Sequence, residues 1–75
     1  MPENRPTHEQ LITQLKYAIE QEWQTYLRYS EAARLVGNEK VQELLLFLAK
    51  EEQVHEEKLQ RMLDEIEANA PKENS

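Results

Sequence analysis

The sequence predicts an all-α fold, an antiparallel hairpin of two helices in a single small domain. Two stretches of the 75-residue chain repeat apolar residues at steps of three and four, the period of one helix face. The only glycine separates the two stretches, and no segment shows the alternation typical of a strand. A chain this short buries little apolar surface, so we expect a metal or a partner subunit to add stability.

We expect the first helix over about residues 8–36. Thr7 is its predicted N-cap, and Gln10 follows at the capping-box spacing. Gly37 is predicted to end the helix in a left-handed conformation. The residues that form the apolar face are Leu11, Ile12, Leu15, Ala18, Ile19, Tyr26, Tyr29, Ala33 and Val36.

The second helix is predicted over about residues 39–70, with Asn38 as its N-cap. The turn of the hairpin therefore falls at residues 37–38, and residues 71–75 form a frayed tail that begins with a proline. The apolar face of this helix consists of Val41, Leu44, Leu45, Leu48, Leu59, Met62, Leu63 and Ile66.

Charge and composition exclude several functional classes. The net charge of −6 argues against binding to nucleic acid or to anionic membranes, since both require a basic surface. The absence of cysteine excludes disulfides and thiolate metal sites. The longest uninterrupted apolar run, LLLFLA, is too short to span a bilayer, and no signal peptide is visible. We therefore expect the protein in the cytoplasm.

Three polar residues interrupt the apolar faces: Glu22 in the first helix, and Glu52 and His55 in the second. Burying such groups without partners costs several kcal/mol. When the chain is folded at residues 37–38, Glu22 lies roughly 23 Å from the turn and Glu52 roughly 22 Å, with His55 one helical turn further. The sequence therefore predicts that the three side chains converge near the middle of the hairpin.

The predicted cluster suggests a metal site. Glu52 and His55 form a Glu-x-x-His pair, so both side chains can reach one ion, and these ligand types suit iron, manganese and zinc. Two hairpins related by a two-fold axis supply four glutamates and two histidines, the ligand set of di-iron and di-manganese four-helix bundles. We therefore predict a homo-oligomer, at least a dimer, that forms a four-helix bundle.

Two other interpretations of the same residues stay open. Polar residues in a helix seam can fix the register of an oligomer without any metal, and a metal can stabilise an oligomer without catalysis. Glu51, Glu56 and Glu57 fall off the predicted apolar stripe and are expected on the solvated face. Tyr29 lies two turns from Glu22, which makes its hydroxyl a candidate hydrogen-bond partner of a ligating carboxylate.

The stretches EQEWQTYLRYSEAA and LAKEEQVHEEKL resemble the metal-binding helices of the ferritin-like superfamily, specifically of rubrerythrins and encapsulated ferritins. The resemblance covers roughly residues 11–66. It puts Glu22 in a ligand position, Tyr29 in the tyrosine position, and Glu52 and His55 in the Glu-x-x-His motif. Ferritins and rubrerythrins carry two such helix pairs in one chain, whereas encapsulated ferritins assemble the di-iron site between subunits from one pair each.

The resemblance implies a di-iron ferroxidase for iron storage or detoxification, which oxidises Fe(II) to Fe(III) at a site between subunits. In this interpretation Glu22, Glu52 and His55 are both the metal ligands and the catalytic residues. Glu52 bridges the two ions, Glu22 and His55 are terminal ligands, and Tyr29 supports them. Iron is the expected metal, with manganese and zinc as alternatives, and reduction of peroxide or oxygen as in rubrerythrin is the alternative reaction.

The chain also departs from the families that it resembles. Gln21 and Gln24 stand where encapsulated ferritins carry additional acidic residues, and the sequence contains no rubredoxin-like cysteine domain. We expect no apolar targeting peptide for an encapsulin shell, since none is recognisable at the segment PKENS. An encapsulin shell as partner, a location within its compartment, and a ring of more than two subunits therefore stay open.

Overall fold

The computed structural model describes residues 7–69 as two long helices packed side by side in an antiparallel hairpin. Helix α1 is His8–Leu35 and helix α2 is Glu39–Ala68. The sequence predicts helices over about 8–36 and 39–70. Within residues 7–69 there is no strand, so the all-α prediction is confirmed. The tail predicted to fray, residues 71–75, lies outside the described residues, as do residues 1–6 and 70.

Side-chain caps fix where each helix begins. The Thr7 hydroxyl accepts a hydrogen bond from the backbone N–H of Gln10 at 3.0 Å, and the Gln10 side chain accepts one from the N–H of Thr7 at 2.8 Å. At the start of α2 the Asn38 side chain accepts a hydrogen bond from the N–H of Val41 at 3.1 Å. Both predicted caps are confirmed.

The turn differs from the prediction at Gly37. Helix α1 ends at Leu35, and Val36 adopts an extended conformation with φ −80° and ψ 142°. Gly37 does not have the predicted left-handed backbone, because Val36 already redirects the chain. The side-chain amide of Gln42 donates a hydrogen bond to the carbonyl of Ala33 at 2.9 Å and thereby ties the start of α2 to the end of α1.

The contact seam between the helices follows a heptad pattern, with buried or half-buried residues at alternating steps of three and four. Of the described residues only Ala33, Ala49 and Leu63 are buried, so the hairpin alone has a small core. The seam of α1 consists of Ile12, Leu15, Ile19, Glu22, Tyr26, Tyr29 and Ala33, and Val36 continues it directly after the helix. The seam of α2 consists of Gln42, Leu45, Ala49, Glu52, Glu56, Leu59, Leu63 and Ile66.

The seam of α2 is displaced by one residue from the predicted stripe, so that Val41, Leu48, His55 and Met62 lie outside it. We predicted His55 on the packed stripe and Glu56 on the solvated face, whereas Glu56 is half-buried and the His55 side chain is 53% exposed at the edge of the seam. The physical reason is the small residue Ala49, which is 3% exposed and lets α1 approach the stripe that contains it. The apolar stripe through Leu48 and His55, displaced from the seam by one residue, is not covered by α1.

Helical geometry assigns the remaining residues to two opposite faces. In an antiparallel pair of right-handed helices, residues that directly precede seam positions lie on one face, and residues that directly follow them lie on the other. We call the face of the preceding residues the site face, because it contains His55. The face of the following residues is the outer face. Within residues 7–69, neither helix has an apolar stretch long enough to cross a membrane.

Candidate metal centre

The structure brings Glu22 of α1 together with Glu52 and His55 of α2. The Nδ1 atom of His55 lies 3.5 Å from Oε1 of Glu22 and 3.5 Å from Oε1 of Glu52. One donor atom from each of the three residues lies within 4.8 Å of the others. Two helices thus place two carboxylates and one imidazole around a single point.

Local sequence explains why these side chains meet. Glu52 and His55 are three residues apart on α2, so they project from neighbouring positions of the same helix surface. Ala49 lies one turn before Glu52 in the seam, where its small side chain permits a close approach of the helices. Glu22 occupies a seam position of α1 and therefore faces the Glu-x-x-His pair across the contact between the helices.

Burial leaves one oxygen of the cluster without a partner. The Glu22 and Glu52 side chains are only 27% and 18% exposed. Within residues 7–69, Oε1 of Glu22 is shielded from solvent and accepts no hydrogen bond. An unsatisfied buried acceptor costs about 1–3 kcal/mol, or more when it is charged. A cation or a proton at this point would remove that cost.

The pKa of the Glu22 carboxyl is raised above its ordinary value of 4.5. The largest cause is a hydrogen bond with Glu52, which requires that the two carboxyl groups hold a proton between them. Burial and the negative charge of Glu52 act in the same direction, and His55 opposes them. When that proton is absent, the two carboxylates face each other without a donor between them.

The donor set fits a divalent transition metal. Carboxylate oxygens and an imidazole nitrogen together suit iron, manganese and zinc. Two ionised glutamates also match the charge of one divalent ion. A dinuclear site in a four-helix bundle uses four glutamates and two histidines, which is twice what one hairpin contains. One chain therefore offers half of such a site.

Two tyrosines on the seam lie close to the cluster in sequence. Tyr29 is half-buried two turns from Glu22, and within the described residues its hydroxyl forms no hydrogen bond with either glutamate, so its supporting role stays a prediction. Tyr26, one turn from Glu22, stacks on Trp23 with ring centroids 5.0 Å apart and an interplanar angle of 21°. Sequence reasoning missed this stack, although the spacing of three residues on a helix was its signal.

Comparison with known proteins identifies one family. The family model described as Rubrerythrin matches residues 13–74, a range that includes all three residues of the cluster. Neither the curated proteins nor the solved structures contain a significant match to the chain.

Proposed function

The chain belongs to the rubrerythrin family, in the ferritin-like superfamily, and from this premise we propose that it is a homo-oligomeric di-iron ferroxidase. The observation that carries the proposal is the convergence of Glu22, Glu52 and His55 within 4.8 Å. Family membership supports iron as the metal, and the convergence supports these three residues as its ligands.

The geometry suggests a role for each ligand. Glu52 is the least exposed of the three, at 18%, and lies on the seam, so we propose that its carboxylate would hold the iron from within the helix pair. Glu22 and His55 would complete the ligand set, with the Nδ1 atom of His55 as the ligating nitrogen because it lies 3.5 Å from both carboxylates. Bound iron would supply the redox chemistry that no side chain of this site has.

The reaction takes Fe(II) as its substrate. Two Fe(II) ions lose one electron each, and the electron pair with two protons reduces dioxygen to hydrogen peroxide, or hydrogen peroxide to two molecules of water. A pair of ions held at one site supplies both electrons together. The carboxylates of Glu22 and Glu52 suit hard cations and therefore stabilise the Fe(III) product as well as the substrate.

The surface of the hairpin supports a second copy as the partner. On the site face of α2, Val41, Leu48, His55 and Met62 recur at intervals of seven residues, and the apolar members are 41%, 36% and 50% exposed. An exposed apolar stripe at heptad spacing is typical of a helix–helix interface. Because His55 lies within this stripe, a subunit that covers the stripe also covers the site.

The incomplete ligand set and the small core of one hairpin both favour a second copy of this chain as the partner. A two-fold axis along the site face would bring a second Glu22, Glu52 and His55 to the first three and complete the dinuclear set. Small residues on the site face of α1 would let the partner helices approach closely. These residues are Ala18, Thr25 and Ala32.

The proposal is tested by adding Fe(II) to the protein without oxygen and then admitting oxygen while ferric absorbance in the near ultraviolet is followed. We expect rapid oxidation that Glu52→Ala and His55→Ala abolish. Glu57→Ala is the matched control, since Glu57 is exposed on the outer face and outside the cluster. Equal oxidation rates in all four proteins would refute the ferroxidase. Bound metal without oxidation would also refute it, and would favour a non-catalytic oligomer that the metal stabilises.

A further inference from the structure

An aromatic pair connects the candidate metal centre with the outer face. Glu22 and Tyr26 are four residues apart on α1, so their side chains are neighbours on the helix surface, with about 5–6 Å between the Cβ atoms. The ring of Tyr26 stacks on that of Trp23, with centroids 5.0 Å apart and an angle of 21° between the planes. Tyr26 lies in the seam, whereas Trp23 directly follows a seam position and is 41% exposed on the outer face. The pair therefore forms an aromatic path from a proposed ligand to the solvent.

The chemistry of the two rings suits the transfer of single electrons. The sequence contains no cysteine, so tyrosine and tryptophan are its side chains that lose one electron most readily. Stacked rings exchange an electron rapidly because their π orbitals overlap. Tyrosine gives up its hydroxyl proton together with the electron, and tryptophan gives up its indole proton. An electron taken at Tyr26 can therefore be replaced from Trp23.

A site that holds a single Fe(II) ion lacks an electron for the reduction of hydrogen peroxide. The reduction to water needs two electrons, and one Fe(II) ion supplies only one. Because one chain offers half of a dinuclear ligand set, a singly occupied site exists while the proposed dimer takes up its two ions one after the other. Peroxide that receives one electron splits into hydroxide and a hydroxyl radical, which attacks nearby side chains. A second electron donor beside the ligands prevents this reaction.

We propose that Trp23 and Tyr26 supply the second electron when hydrogen peroxide meets a site with one Fe(II) ion. The proposal rests on the proposed function, because it requires Fe(II) bound at Glu22, Glu52 and His55. The O–O bond of the peroxide breaks, and one electron comes from Fe(II) and one from Tyr26. One proton comes from the hydroxyl of Tyr26 and one from the solvent. The products are Fe(III), two molecules of water and a radical on Tyr26.

The stack then moves the radical away from the ligands. Trp23 gives an electron to the Tyr26 radical and releases its indole proton to water, and Tyr26 regains its hydroxyl with a proton from the solvent. Because Trp23 is 41% exposed, the radical then lies where a small water-soluble reductant such as ascorbate can donate the replacement electron and proton. The pair thus protects the site and is restored for another cycle.

Freeze-quench electron paramagnetic resonance tests the proposal. The protein is loaded without oxygen with one Fe(II) for every two chains, and one hydrogen peroxide is added for each Fe(II). We expect an organic radical that deuterated tryptophan assigns to Trp23 in the unmodified protein. Trp23→Phe should leave a tyrosine radical, and Tyr26→Phe should abolish the signal, although each variant keeps an aromatic ring at its position. Tyr17→Phe is the matched control, since Tyr17 is 63% exposed on neither face, and it should keep the signal.

A nitrone spin trap provides a second measurement under the same conditions. Without its second electron, peroxide should release more hydroxyl radical, so we expect at least about twofold more hydroxyl adduct from Tyr26→Phe than from the unmodified protein. Tyr17→Phe should give the same amount as the unmodified protein. An equal yield of adduct from Tyr26→Phe would overturn the proposal.

The outcomes separate the two proposals. Ferric absorbance without a protein radical in the unmodified protein, or a radical that Tyr26→Phe retains, overturns the electron path and leaves the proposed function intact. A radical that is lost in Tyr29→Phe and kept in Tyr26→Phe overturns it as well, because the donor is then the other tyrosine of the seam. An absence of ferric absorbance in every protein contradicts the proposed function itself.

Discussion

The Nδ1 atom of His55 lies 3.5 Å from Oε1 of Glu22, although the two residues belong to different helices. The contact depends on the register of the hairpin, which Ala49 and the turn between α1 and α2 determine. It also joins two environments, because Glu22 lies on the seam whereas His55 lies on the exposed site face. The site thus begins between the helices of one chain and opens toward the surface that we assign to the partner.

Substitutions on the site face should weaken the proposed dimer and the proposed metal site together. Leu48→Gln and Met62→Gln each place a polar group in the stripe that flanks His55, and we expect the double variant to dissociate to single chains and to bind zinc at least tenfold more weakly. Val54→Gln is the control, since Val54 is 41% exposed on the opposite side of α2 from the seam. Light scattering and zinc titration would measure both effects. Tight zinc binding by single chains of the variant would contradict the shared site.

Removal of metal should destabilise the protein markedly, because only three described residues are buried and none of them is a large aromatic side chain. A ligand present at a hundred times its dissociation constant stabilises the folded state by about 2.7 kcal/mol. For a domain of this size, that corresponds to a melting temperature higher by on the order of 10 °C. We expect a chelator to abolish that increase in thermal melts followed by circular dichroism. Glu52→Ala should melt at the same temperature with and without the chelator.

The raised pKa of Glu22 gives the metal-free protein a defined pH dependence. A carboxyl whose pKa is higher in the folded than in the unfolded chain binds its proton more tightly when folded. Its contribution to stability is therefore fully present below the ordinary pKa of 4.5 and is lost as the pH rises through the raised value. We expect urea unfolding with a chelator to show that the stability of the unmodified protein relative to Glu22→Gln increases as the pH falls from neutrality. A difference in the free energy of unfolding between the two proteins that does not change with pH would contradict the raised pKa of Glu22.

The Asn38 cap should contribute about 1 kcal/mol to the free energy of unfolding, the usual value for an N-cap side chain. Asn38→Ala removes the acceptor of the 3.1 Å hydrogen bond from Val41, whereas Asn38→Asp retains an acceptor there. We expect urea unfolding to show the loss for alanine and little change for aspartate. Equal stability of the two variants would mean that the cap has no role in setting the turn.

Both helices and their caps could be predicted from the sequence because their signals are local. The steps of three and four between apolar residues, the spacing of Thr7 and Gln10, and the position of Asn38 each depend on neighbours within one turn. The convergence of Glu22 with the Glu-x-x-His pair could also be predicted from the sequence. The helix rise and the position of the turn fix the distance of each residue from the turn.

The face that α2 turns toward α1 could not be predicted with the same accuracy. Two parallel stripes, one through Leu48 and His55 and one through Ala49 and Glu56, are displaced by a single residue, and apolar content alone favours the first. The close approach permitted by Ala49 decides for the second, and it is a property of the packed pair. The Gly37 prediction failed for a related reason, since the extended conformation of Val36 made a left-handed glycine unnecessary.

Native mass spectrometry of the zinc-loaded protein tests the shared metal site most directly, because it counts ions and chains in the same particle. We predict that the ions are retained in particles of two chains or a multiple of two, with two ions for every two chains, and that His55→Ala retains none. Metal bound to single chains, or two-chain particles without metal, would contradict the account.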